Sequence, residues 1–209
     1  MFITATDTGI GKTFVACGLA KFLLEKGVDV AYYKPLSCGG DLSEDMDSIS
    51  RSAKCPVYGT YHFKSPLSPY AASKIQKESV KIQKILNDFK NIQKKHDFVI
   101  VEGIGGALVP ITDKFFVADL IAMMKIPAIV VARAGLGTIN HTLLTIEALK
   151  KRKVNILGII LNGFKGKDIS EKSNAEIIEE LSGLPILEKI KWQEKYHKYD
   201  LTAKRILNV

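Results

Sequence analysis

The sequence predicts an α/β fold of three layers, a mostly parallel central sheet flanked by helices on both faces. Short apolar, β-branched runs recur along the chain with amphipathic helical stretches between them. The runs are near-continuous instead of alternating, as expected of strands covered on both faces. The first run, Met1-Phe2-Ile3, passes directly into a glycine-bearing loop and then a helical pattern. At 209 residues, 46% of them hydrophobic, the chain suits one such domain over 1–209, and no Pro/Gly/Ser-rich linker divides it.

Taken in order, strand Phe2-Ile3 leads through the loop to a helix from Thr13 to Lys26, apolar on one side. Val28 to Tyr33 is the second strand. From Cys38 to Ser73 periodicity is poor and prolines are frequent, which predicts loop with short helices over the site. A helix polar on one side follows from Ser79 to Lys95, then strand Phe98 to Val101 and helix Phe116 to Met124. Strand Ala128 to Val131, helix Asn140 to Arg152, strand Ile156 to Leu161, helix Ser170 to Ser182 and a short strand around Ile186 complete the alternation. Right-handed crossovers place the C-terminal ends of parallel strands along one edge, where ligands bind in such sheets.

The loop at that edge is Thr6-Asp7-Thr8-Gly9-Ile10-Gly11-Lys12-Thr13. Gly9 and Gly11 allow a tight turn that aims backbone N–H groups at one anion, and the following helix adds its positive end. Lys12 can reach the terminal phosphates of a nucleotide, and the Thr13 hydroxyl can ligate Mg²⁺. The usual phosphate-loop spacing would put a glycine at position 6, which is Thr6 here. A plain βα turn with a helix-starting threonine accounts for fewer of these parts, so the fold expected is that of a P-loop NTPase and the ligand a nucleoside triphosphate.

The segments after the other strands carry further chemistry. Lys34, in Tyr33-Lys34-Pro35-Leu36-Ser37-Cys38-Gly39-Gly40, is expected at a strand end, where a proline-stiffened backbone holds its ammonium over the reaction centre. Asp97-Phe98-Val99-Ile100-Val101-Glu102 reads as a strand delivering a carboxylate toward Mg²⁺, and Gly103-Ile104-Gly105-Gly106 follows as a second anion-binding turn. Asp41, Glu44, Asp45 and Asp47 crowd the loop after Lys34, where an acid can complete a magnesium shell with Thr13 and Glu102. Gly135-Leu136-Gly137-Thr138-Ile139-Asn140-His141 opens a helix and makes a third anion-binding turn, with His141 read as a surface or capping residue.

Composition narrows the remaining classes. The net charge of +8 comes from lysines such as Lys74, Lys77, Lys81 and Lys84 spread over helix faces among acids. That reads as a solvated surface that helps attract anionic substrates, without the clustered basic face and stacking aromatics of a nucleic-acid binder. Cys17, Cys38 and Cys55 are widely spaced and odd in number, as free thiols in a reducing compartment would be. No apolar run approaches the roughly 18 to 20 residues of a membrane span, and the expected location is cytoplasmic.

In this order and at these intervals, the phosphate loop, Tyr33-Lys34-Pro35-Leu36, Val101-Glu102-Gly103-Ile104-Gly105-Gly106, Gly135 to His141 and Gly158-Ile159-Ile160-Leu161-Asn162 make the chain resemble the dethiobiotin synthetase family, from the N-terminus to about Trp192. The resemblance implies an ATP- and Mg²⁺-dependent reaction in which CO₂ adds to one amine of 7,8-diaminononanoate. ATP phosphorylates the carbamate, and the second amine closes a cyclic urea. Lys12, Lys34 and Thr8 would serve the reacting groups by charge neutralisation and positioning. Nucleotide contacts are implied at Gly9, Ile10, Gly11, Lys12, Thr13, Phe14, Gly103, Ile104, Gly105, Asn162, Gly163, Ile190 and Lys191, with Asn162 as adenine reader. Thr13, Asp47 and Glu102 would hold Mg²⁺, with Asp47 preferred over Asp45 only by its place before Ser48-Ile49. Substrate contacts are implied at Thr8, Lys34, Cys38, Gly105, Gly106, Gly137, Thr138, Ile139 and Asn140, the last four at a carboxylate site across a homodimer interface.

The chain departs from the family's pattern at four positions. Ala5 stands where a glycine is usual, Gly9 where many members carry glutamate, Cys38 where a serine or threonine touches substrate, and Lys191 where a proline lines the adenine pocket. The rival class with this fold is a partitioning or septum-positioning switch ATPase. Such proteins carry an extra lysine early in the phosphate loop, where this chain has Thr6-Asp7-Thr8.

Overall fold

Strand β1 (Phe2–Ala5) is buried along its whole length because strands lie on both sides of it and helices cover both faces. The computed structural model describes residues 1–40, 50, 54–166 and 168–192. Within them β2 (Val30–Cys38), β3 (Val57–Phe63), β4 (Phe98–Glu102), β5 (Ala128–Arg133), β6 (Ile156–Phe164) and β7 (Ile186–Lys191) join β1 in a seven-stranded sheet of order β3-β2-β4-β1-β5-β6-β7. Every pairing in it is parallel, so all strand C-termini share one edge.

Helix α1 (Lys12–Glu25) covers one face, packing Val15, Leu19 and Leu23 on Ile3, Ile100, Ile129 and Val131. The other face carries α2 (Pro69–Gln76), α3 (Ile82–Gln93), α4 (Val117–Met124), α5 (Thr138–Lys150) and α6 (Ser170–Ser182). Alternation along β1 divides the two cores: Phe2 points into the α2–α6 side and Ile3 into the α1 side. In α3, Ile85, Leu86, Phe89 and Ile92 recur at helical spacing and form its buried stripe. No helix among the described residues is long and apolar enough to cross a membrane.

Two expectations need correction. The segment from Cys38 to Ser73 holds an edge strand, β3, and most of α2. Its apolar pattern is broken by Gly59, Thr60 and His62, but pairing with β2, burial of Tyr61 and Phe63, and the Tyr33 hydroxyl 2.6 Å from Thr60 Oγ1 hold it in the sheet. Second, β2 does not end at Tyr33 but runs on to Cys38, so Lys34 lies within the strand. Pro35 is tolerated because β4 pairs with β2 only from Val30 to Tyr33, leaving one neighbouring strand beyond. Helix bounds shift by up to three residues: α3 begins at Ile82 and α5 spans Thr138–Lys150.

Candidate nucleotide and carboxylate site

Chain leaving β1 makes one more bond to β5, from the Thr6 N–H to the Val131 carbonyl at 3.0 Å, and then turns over the sheet edge into α1. Ala5 ends β1 in extended backbone, so its Cβ is accommodated where a glycine was expected. Gly11 caps α1 at φ 101°, and a Cβ there would stand 2.2 Å from Asn162 Nδ2. That nitrogen donates to the Ile10 carbonyl at 2.8 Å, tying the loop to β6. The loop's other flank is held by Arg133, whose Nη2 lies 3.4 Å from Asp7 Oδ2. Lys12 is buried and donates to the carbonyls of Gly105 at 2.9 Å and Asp7 at 3.3 Å, bridging the phosphate loop and the Gly103–Gly106 turn. Close packing explains that turn's glycines: a Cβ on Gly106 would lie 3.1 Å from the Thr6 carbonyl, and one on Gly105 would lie 3.3 Å from Thr8 Oγ1.

Near Lys12 lies a carboxylate with three partners among the described residues. Glu102, 2% exposed at the end of β4, accepts from Thr13 Oγ1 at 2.9 Å on Oε1 and from the Tyr32 hydroxyl at 2.9 Å on Oε2. The Lys34 ammonium stands 3.3 Å from Oε1, itself 6% exposed. Burial of a charge requires such pairing, and the four side chains meet because β2 and β4 are neighbours and α1 starts above them. Thr13 and Glu102 offer hard oxygen donors of the kind Mg²⁺ takes, and Oε1 already faces a cation in Lys34. Among the described residues no three His, Cys, Asp or Glu side chains converge on one point. Asp41, Glu44, Asp45 and Asp47 lie outside the described residues.

On the opposite flank of the loop a cavity of about 630 Å³ opens. Six expected residues, Gly9, Ile10, Gly11, Phe14, Asn162 and Gly163, line it with Thr8. Sequence reasoning missed Arg133, Lys165, Asp168, Glu171 and Trp192, which also line it. Glu171, buried at the start of α6, accepts from the Lys165 and Gly166 N–H groups, and Lys165 Nζ sits 4.7 Å from the centre of the Trp192 ring. Asp168 accepts from the N–H groups of Ser170 and Leu136, with the Ser170 donors the main reason its carboxyl lies below its ordinary value. Of the implied nucleotide contacts, Lys191 lines an adjoining cavity with Trp192, Ile190 is buried against the α1-side core, and Ile104 packs on the opposite core.

The third glycine turn lies after β5. Gly137 caps α5 at φ 87° and is exposed with Asn140 and His141, whereas Thr138 is fully buried, 3.4 Å from Thr142 by their hydroxyls. Asn174 of α6 anchors this turn by donating to the Ala134 carbonyl at 2.7 Å. Cys38, half-buried at the end of β2, packs against the α2–α6 core; burial pushes its thiol up to about 11, with the Lys34 charge acting the other way.

A family model described as an AAA domain matches residues 1–199. The chain is 44% identical over 201 residues to an ATP-dependent dethiobiotin synthetase BioD of Endomicrobium trichonymphae, covering 90% of each protein. It is 40% identical to proteins of the same name from Bacillus licheniformis, covering 89% of this chain and 83% of that one, and from Methanococcus vannielii, covering 85% and 90%. Solved structures share the fold at low identity. The MinC:MinD cell division complex of Aquifex aeolicus matches with a TM-score of 0.62 at 15% identity, over 93% of this chain and 81% of that one. A ParA family ATPase from Chlorobium tepidum matches with 0.62 at 16%, over 99% and 87%.

Proposed function

Because the chain belongs to the ATP-dependent dethiobiotin synthetase family, we propose that its phosphate-loop edge is the site at which 7,8-diaminononanoate, CO₂ and ATP become dethiobiotin, ADP and phosphate. The observation that carries this reading is the convergence of Lys12, Thr13, Lys34 and Glu102 at the start of α1, where β1 and β4 end and Lys34 reaches in from within β2. In this reaction one substrate amine adds to CO₂, forming a C–N bond and releasing a proton. The carbamate oxygen takes the γ-phosphoryl group of ATP, with ADP leaving. The second amine then attacks the carbamoyl carbon, phosphate departs, and the cyclic urea is complete.

No covalent nucleophile is needed from the protein, so positioning and charge carry the catalysis. Lys12 and Lys34 neutralise charge on the carbamate and transferring phosphoryl group, and Thr8 with Gly105 and Gly106 orients the reacting amines. The cavity lined by Gly9, Gly11, Phe14, Asn162, Gly163 and Trp192 takes the nucleotide. Thr13, Glu102 and an acid of the 41–49 segment would hold Mg²⁺, which when bound draws charge from the phosphate oxygens. Gly137, Thr138, Ile139 and Asn140 receive the substrate carboxylate at a homodimer interface. Leu136 just before this helix and Leu144 in its second turn, 81% and 57% exposed, support that contact.

Phosphate release from ATP and Mg²⁺ with bicarbonate, measured with and without the diamine while the cyclic urea is followed by mass, tests the reading. Release should require the diamine and match product in amount. Release indifferent to the diamine would instead favour a switch ATPase.

A further inference from the structure

We infer that Tyr32 is a positioning residue for the carboxylate of Glu102, fixing which of its two oxygens faces the metal and the reacting phosphates. This rests on Glu102 being a Mg²⁺ carboxylate, as proposed above. The two oxygens have different surroundings. Oε1 meets Thr13 and Lys34, groups of the phosphate-loop edge, at 2.9 and 3.3 Å. Oε2 meets the hydroxyl of Tyr32, a side chain with no exposed surface, at 2.9 Å.

The placement follows from strand alternation. Tyr32 and Lys34, two residues apart on β2, both reach Glu102, whereas the Tyr33 hydroxyl contacts Thr60 and the Ile85 carbonyl on the other side of the sheet. Lys34 can pass from Oε1 to a phosphate without freeing the carboxylate, because Tyr32 retains Oε2. Without that hydroxyl, Oε2 would be a buried charged acceptor lacking its donor, and rotation about the terminal torsion of Glu102 would exchange its oxygens. Partners of this kind behind a metal ligand typically change metal affinity by about 10- to 100-fold when removed.

The experiment titrates Mn²⁺, as a spectroscopic stand-in for Mg²⁺, into the full chain bound to ADP and measures free Mn²⁺ by electron paramagnetic resonance. Tyr32→Phe should weaken Mn²⁺ binding about tenfold or more. Tyr33→Phe, which loses a buried hydroxyl on the opposite face, should leave it unchanged, separating positioning from general destabilisation. Glu102→Gln should weaken it at least as much as Tyr32→Phe. Wild-type Mn²⁺ affinity in Tyr32→Phe with weakened binding in Glu102→Gln overturns the role of Tyr32. Wild-type affinity in both overturns the metal role of Glu102 and the inference with it. Should Tyr32→Phe fail to fold, 3-fluorotyrosine placed at position 32 alone keeps the hydroxyl. Its fluorine resonance should move when Mg²⁺ joins the ADP complex, while the same probe at position 33 stays still. An unmoved resonance at position 32 overturns the inference.

Discussion

The Asn162 amide nitrogen occupies the space that a side chain on Gly11 would fill, 2.2 Å from where its Cβ would be. Asn162 cannot withdraw freely, because the same nitrogen donates to the Ile10 carbonyl. Gly11 also sits at φ 101°, a region that side chains disfavour. Gly11→Ala therefore forces both a strained backbone, at about 1 to 3 kcal/mol, and a lost hydrogen bond, at about 1 kcal/mol. We expect ATP affinity to fall by at least about tenfold, measured by calorimetric titration.

Lys12 and Lys34 approach the loop from α1 and β2. Lys12→Ala and Lys34→Ala should each lower turnover by roughly two to three decades, the effect of removing one preorganised electrostatic donor. Steady-state assay of cyclic-urea formation checks each, and near-normal turnover would remove that lysine from its role.

Chelation should separate activity from folding. EDTA is expected to abolish turnover while leaving the melting temperature of the nucleotide-free protein unchanged, because Glu102 has Thr13, Tyr32 and Lys34 as partners without a metal. A drop in melting temperature on EDTA addition would mean that the fold itself depends on a bound cation.

Cys38 supplies a pH-dependent term. Burial raises its thiol from an ordinary 9.0 to about 11, so the folded state favours the neutral form. The associated stability is fully present below the unfolded value and is lost as pH rises through the folded one. Between pH 9.0 and about 11 the wild type should lose more thermal stability than Cys38→Ala. Equal losses in the two proteins would show the thiol to be no more protected than in the unfolded chain.

The alternating strands and helices, the parallel sheet, and the placement of Lys12 and Thr13 at the start of α1 and of Glu102 at the end of β4 are legible in the sequence, because hydrophobic period and glycine placement are local properties, whereas Lys34 lies within β2 and not at its end. β3 was not legible: an edge strand interrupted by Gly59, Thr60 and His62 draws its stability from Tyr33 and β2, which lie far away in sequence. Tyr32 looked like one more apolar residue of a buried run, although its i, i+2 relation to Lys34 was a signal that both share a face. Arg133, Lys165, Asp168 and Glu171 carried no motif; they line the cavity beside the phosphate loop because β5 and β6 end and α6 begins there. The sequence by itself determined which residue types could bind phosphate and where strands would deliver them. Only the tertiary structure decided that Glu102 divides its oxygens between Tyr32 and the Thr13–Lys34 side, since hydrogen-bond partners 70 and 89 residues apart are chosen by strand order and packing.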